Sequence, residues 1–257
     1  MYFDTHAHYE DEKFNENRDT LIEDMHSNGV DYIINIGSDM ATSKKSIDLA
    51  KKYDFIYAAV GVHPTEVEEM TENDIETLRK YADYEKVVAI GEIGLDYHYA
   101  YSTKEKQRYW FKRQLDLAAE LDLPVSIHSR EASQETFDII KSSNVRKGSI
   151  HAFSGSVEMA KDYIDMGFYI GVGGVVTFKN AKKLVDVVRF VPINKILLET
   201  DSPYLSPVPF RGTVNNSQNL KYVAEKIGEI KQISPEEVCK ITAQNAKEIF
   251  WWKKVVA

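Results

Sequence analysis

Two histidines separated by one residue, His6-Ala-His8, stand near the start of the chain. On an extended segment, residues two apart project to the same side, so both imidazoles can share one cation. Glu92 in AIGEIGLD and Asp201 in LLETDSP add carboxylates, and His128 and His151 add two further imidazoles. Four neutral imidazoles and two carboxylates can hold two divalent ions if one carboxylate bridges them, and Glu92, from the middle strand of the set, is the expected bridge. Such a pair of cations polarises a phosphoryl or carbonyl oxygen and brings the pKa of a bound water toward neutrality, which is hydrolytic chemistry.

Side chains this far apart in sequence meet only if the fold converges them. Short apolar runs rich in β-branched and aromatic residues alternate with longer amphipathic stretches, the pattern of repeated βα units. Eight runs read as strands: Tyr2–Asp4, Asp31–Ile36, Phe55–Val60, Val87–Ile90, Pro124–Ile127, Gly148–His151, Phe168–Val172 and Lys195–Glu199. A helix is expected over Thr103–Leu121, opened by a capping box at Ser102-Thr-Lys-Glu105, and another helix start is expected at Ser133-Gln-Glu-Thr136. Ser234–Trp252 reads as one more helix, with Trp251 and Trp252 closing the barrel. The prediction is a single α/β domain over residues 1–257, a (β/α)8 TIM barrel with an additional C-terminal helix. Of the seven histidines, His6, His8, His63, His128 and His151 sit at or just past strand C-termini, where barrel enzymes build their sites. The patternless segment Asp201–Asn216 after the last strand reads as a functional loop.

Composition sets the remaining bounds. Hydrophobic residues make up 43% and charged residues 28%, which suits a globular protein with a large core. The one cysteine, Cys239, reads as a buried thiol, and a chain without disulfides suits a reducing compartment. With neither an export signal nor a run of about 18 apolar residues, the expectation is a cytoplasmic protein with no membrane contact. The net charge of −8 opposes broad binding to duplex DNA, so attraction to a nucleic acid must be local and supplied by bound cations.

From residue 3 to residue 212 the chain carries FDTHAH, VGVHP, AIGEIGLDY, IHSREA, HAFSG and ETDSPYL followed by Pro-x-Pro-x-Arg-Gly. In these stretches and their order it resembles the TatD family of metal-dependent deoxyribonucleases. The resemblance implies one ion at His6, His8, Glu92 and Asp201 and a second at Glu92, His128 and His151, and it associates the position of His63 with substrate phosphate. Ala152 stands where the family often has cysteine. The usual Arg-Gly-x-Arg-Asn-x-Pro becomes Arg211-Gly-Thr-Val-Asn-Asn-Ser217, so Val214 and Ser217 put substrate preference, rather than chemistry, in question.

On this reading two divalent ions (magnesium, manganese, zinc or nickel) serve hydrolysis of DNA phosphodiester bonds, with Asp201 as general base or water-positioning ligand and Glu92 as bridge. Arg130 and Arg211 are candidates to clamp phosphate beside His63, and Asp4 and Glu199 to orient the ligands. A recessed site favours single strands or exposed ends, hence a 3′-to-5′ exonuclease, and Tyr97, Tyr99, Phe153, Phe178 and Tyr204 could stack on bases. Two other readings stay open. One is an amidohydrolase or lactonase acting on a small cyclic amide or ester, for which Glu92 stands where a modified lysine is common. The other is a non-catalytic metal-binding scaffold.

Overall fold

A computed structural model describes residues 1–250. Eight strands, β1 (Tyr2–Ala7), β2 (Val30–Ile36), β3 (Ile56–Val60), β4 (Val87–Asp96), β5 (Val125–Arg130), β6 (Gly148–Ile150), β7 (Tyr169–Val172) and β8 (Ile196–Leu198), pair in sequential order. Every pairing is parallel. Past the end of β8 the sheet returns on itself, where Asp201 N donates to the His6 carbonyl (2.9 Å) and His8 N to that of Ser202 (2.7 Å). The expected TIM barrel is therefore what forms.

Helices alternate with the strands: α1 (Arg18–Ser27), α2 (Met40–Lys52), α3 (Glu72–Ala82), α4 (Lys104–Glu120), α5 (Ser133–Ser142), α6 (Val157–Asp165), α7 (Lys182–Phe190) and α8 (Leu220–Lys231). In α4 the buried Trp110, Phe111, Leu115, Leu117 and Ala118 return at helical spacing and pack on the barrel. Its N-cap is Thr103, which accepts from Lys106 N, not Ser102, whose hydroxyl donates to the Thr65 carbonyl. Ser133 is the first residue of α5 rather than its cap, and the cap position holds Ala132 without a side-chain bond.

The additional helix is α9 (Pro235–Phe250). Its Ala243, Ala246, Ile249 and Phe250 share one buried cluster with Phe3, Ile34, Ala59, Val88, Tyr169 and Leu197 of the strands. Asn245 Nδ2 donates to the carbonyls of Ile193 and Ile196, at the entry to β8. The helix therefore plugs the N-terminal mouth of the barrel and leaves the C-terminal mouth for chemistry. Trp251 and Trp252 lie outside the described residues. No helix among the described residues is long and apolar enough to cross a membrane.

Three strands that carry site residues run longer than their expected runs, whereas β6 and β8 are shorter, stopping before His151 and Glu199. β1 extends through His6, β4 through Glu92 to Asp96, and β5 through His128 to Arg130. Glu92 thus lies within its strand and not after it, as expected from the run Val87–Ile90. One glycine makes this geometry possible. Gly94 pairs with His128 at φ +150°, and a Cβ there would lie 1.9 Å from the His128 carbonyl oxygen. Only glycine lets β4 lie this close to β5.

Candidate metal centre

The C-terminal mouth brings together His6, His8, Glu92, His128, His151 and Asp201. His6 Nε2 is 3.2 Å from His8 Nε2, 3.5 Å from Glu92 Oε2 and 3.9 Å from Asp201 Oδ1. From His8 Nε2 the distances are 3.8 Å to Glu92 Oε2 and 3.5 Å to Asp201 Oδ1. Ligand atoms about 2.1 Å from one ion stand roughly 3.0–3.4 Å apart in octahedral or tetrahedral arrangement, so this nitrogen and oxygen set fits a divalent cation with little movement.

The other oxygen of Glu92 faces a different group. Its Oε1 lies 2.8 Å from His128 Nδ1 and 3.9 Å from His63 Nε2. One buried carboxylate therefore presents an oxygen to each of two imidazole clusters, as a bridging ligand must. His151 stands beside His6 and Asp201. It stacks on His6, with ring centroids 3.4 Å apart, and its Nε2 is 3.6 Å from Asp201 Oδ1. His63, not His151, forms the compact potential ligand group with Glu92 and His128.

Hydrogen bonds at the far ring nitrogens fix what each histidine offers. His8 Nδ1 donates to the Ile36 carbonyl (2.9 Å), which leaves a lone pair on Nε2 for a cation. His6 Nδ1 shares a bond with Ser126 Oγ (3.2 Å). The Nδ1 of His63 lies 2.7 Å from Thr65 Oγ1 and 3.2 Å from the Thr65 amide, and its Nε2 is turned toward Glu92. His63 thus falls within ligand reach of the same centre.

A second layer of acids holds the first. Asp4, fully buried, accepts from the His6 and Thr200 amides through Oδ1 and from the Thr200 and Ser217 hydroxyls through Oδ2. It thereby ties the residue beside Asp201 to the backbone of His6. Burial raises its pKa to about 6 against these hydrogen bonds. Glu199 accepts from Ala152 N (2.6 Å) with one oxygen and stands 3.1 Å from His151 Nδ1 with the other. Asp96, which sequence reasoning passed over, faces His128 Nε2 at 3.0 Å. It stands four residues after Glu92 on the same strand, and that even spacing was the signal for it.

The electrostatics show a site in need of positive charge. Burial alone would lower the pKa of His8, but the Asp201 and Glu10 carboxylates outweigh it and raise it well above the usual value. In the same way Glu199 and Asp201 raise His151, while Asp96 and Glu92 bring His128 up to about 9. Burial likewise opposes ionisation of Glu92 and Asp201, yet the surrounding imidazoles hold both below the ordinary carboxylate range. Buried acids that draw protons onto their neighbours will draw divalent cations equally well.

The two arginines stand at the rim. The Arg130 guanidinium lies 4.9 Å from the Tyr99 ring centroid, and that of Arg211 lies 4.2 Å from Phe178. Neither makes an ion pair among the described residues, and neither reaches the six central side chains. The segment 201–216 forms no helix or long strand, and Asp201, at its start, has a left-handed backbone (φ 59°).

A family model described as TatD related DNase matches residues 3–251. The uncharacterized metal-dependent hydrolase YabD of Bacillus subtilis is 43% identical over 252 residues, covering 97% of this chain and 99% of that protein. Among solved structures, the TatD homologue YJJV from Escherichia coli superposes with a TM-score of 0.91 at 31% identity, over 97% of each chain. A mutant organophosphorus hydrolase from Deinococcus radiodurans reaches a TM-score of 0.66 at 12% identity, covering 97% of this chain and 92% of that one, a likeness of fold alone.

Proposed function

The chain belongs to the TatD family of metal-dependent hydrolases, and from that premise we propose that it cleaves DNA phosphodiester bonds with two divalent ions, working from single strands or exposed ends as a 3′-to-5′ exonuclease. The observation that carries the two-ion reading is Glu92, whose oxygens face His6 and His8 on one side and His128 on the other. When bound, the cations supply charge for the phosphate oxygens and a water activated near neutral pH.

The protein's own part is positioning. Asp201 stands where it faces His6, His8 and His151 together, and its depressed pKa keeps it ionised. A carboxylate held that low is a steady hydrogen-bond acceptor, so it orients the attacking water more than it stores the water's proton. Burial and the neighbouring His128 lower the pKa of His63 to about 3, so it stays neutral, and with a proton on Nε2, the nitrogen that faces the centre, it would donate to a phosphate oxygen. Arg130 and Arg211, free of ion pairs among the described residues, lie outside it where flanking phosphates would pass.

The test is nucleotide release from end-labelled single-stranded DNA with magnesium or manganese, beside a chelator control and the variants Asp201→Asn and His128→Ala. Metal-dependent release, lowered roughly 100-fold or more in Asp201→Asn, supports the proposal. Cleavage of lactones or cyclic amides but not DNA by folded, metal-loaded protein refutes it.

A further inference from the structure

We propose that Tyr99 and Tyr101, with the Arg130 guanidinium beside them, form a stacking platform for an unpaired nucleobase next to the phosphate at the candidate metal centre. The inference rests on the nuclease reading and names the part of the substrate that this rim recognises.

The two tyrosine rings are nearly parallel, 10° between planes, with centroids 5.4 Å apart. Both face solvent, Tyr101 with 68% of its surface exposed and Tyr99 with 41%. Neither hydroxyl has a hydrogen-bond partner among the described residues. Other aromatic side chains around this mouth are committed elsewhere. Tyr97 donates to Glu135, Tyr204 donates to Asp11, Phe153 is buried, and Phe178 is covered by Arg211. Tyr99 carries Arg130 and Tyr101 against its ring, so the open π-surface of the pair is chiefly that of Tyr101, and a large ring left exposed on the functional face has that surface to offer a ligand.

Position ties the pair to the chemistry. Asp96 Oδ1 accepts from the backbone amides of His98 (2.9 Å) and Tyr99 (3.2 Å), while its Oδ2 faces His128 Nε2 at 3.0 Å. A single buried carboxylate thus pins the start of the aromatic loop and one candidate ligand. His98 packs edge-on against Tyr99, with centroids 4.8 Å apart, and is held in turn by Glu131. Arg130, the β5 residue paired with Asp96, sets its guanidinium over Tyr99 and has no ion pair among the described residues. It therefore brings an uncompensated positive charge to the aromatic face.

Exposed rings beside an unpaired cation suit one occupant in particular, a base of a single strand. Every base has a π-face, so stacking tolerates sequence, and the arginine meets the backbone phosphate that accompanies the base. In duplex DNA the base faces are already stacked and unavailable.

The experiment measures equilibrium binding of a fluorescent oligothymidylate and of an abasic oligomer of equal length, with cleavage of the same strands followed in parallel. Wild-type enzyme, Tyr99→Ala/Tyr101→Ala and Tyr99→Phe/Tyr101→Phe are compared. Expected are affinity for oligothymidylate weakened roughly five- to 100-fold in the alanine variant, near-wild-type affinity in the phenylalanine variant, and weak binding of the abasic strand by all three. If wild type and the alanine variant bind and cleave oligothymidylate equally well, the platform is overturned and the nuclease stands. If wild type neither binds nor cleaves either strand, the nuclease reading fails and the platform with it.

Discussion

Replacing Gly94 with alanine should damage stability and catalysis together, by amounts the geometry sets. The added Cβ would stand 1.9 Å from the His128 carbonyl oxygen, where real contacts essentially never fall below 3.0 Å, so β4 and β5 must part locally by at least about 1.1 Å. The backbone of residue 94, at φ +150°, is also one that an L-residue rarely adopts. Overpacking and strain each cost roughly 1–3 kcal/mol, so a total of about 2–6 kcal/mol is expected from the denaturation midpoint at unchanged slope. The same parting pulls His128 from Glu92, 2.8 Å away, and from Asp96, 3.0 Å away. Misplacement on the order of 1 Å can cost about 100-fold in rate, so kcat should fall by that order in whatever fraction stays folded. A Gly94→Ala protein with wild-type midpoint and turnover would show that β4 and β5 do not depend on this close approach.

Other consequences are more direct. His63→Gln should leave metal content unchanged and raise KM for DNA about ten-fold or more, whereas loss of an ion, measured by elemental analysis of dialysed protein, would make His63 a ligand. A divalent cation at about 100 times its Kd should stabilise the fold by about 2.7 kcal/mol, read as a rise in Tm that chelator reverses; no shift with any of magnesium, manganese, zinc or nickel would count against a pre-formed site. If Arg130 and Arg211 are the two phosphate contacts, log Kd for single strands should change with log salt at a slope of about 1.4 in magnitude, and a slope above about 3 would reveal a larger basic surface.

The strand order and the six central residues were legible because apolar runs and polar ends alternate so regularly. Strand lengths were not, and the reason is chemical. β1, β4 and β5 continue into His6, Glu92 and His128, residues that end an apolar run without ending the hydrogen-bonded ladder. Asp96 was passed over because it stood beyond the expected end of its strand, although its spacing from Glu92 pointed to it. The orientation of His63 had no sequence signal, since it depends on where the turn at Pro64 and Thr65 sets the amide and hydroxyl that hold its Nδ1. The start of α4 was misjudged because Ser102 and Thr103 are both good caps, and only the tertiary bond from Ser102 to Thr65 decides between them.

A chain of net charge −8 that places six acids, Asp4, Glu10, Glu92, Asp96, Glu199 and Asp201, around five imidazoles could not attract a phosphodiester on its own. On the proposed nuclease reading, the division of labour among these groups explains how bound cations would let it. Glu92 and Asp201 face inward between imidazoles whose far nitrogens are engaged by Ile36, Ser126 or Glu199, while Asp4 and Asp96 fasten neighbouring backbone. The negative charge is therefore concentrated where cations are wanted and spent on hydrogen bonds elsewhere, so that bound divalent ions reverse the local field at the barrel mouth without a basic surface around it. On the proposed nuclease reading such a site would discriminate by access: a substrate would have to bring its phosphate down to the ions, which a free end or a flexible single strand can do and a stacked duplex cannot.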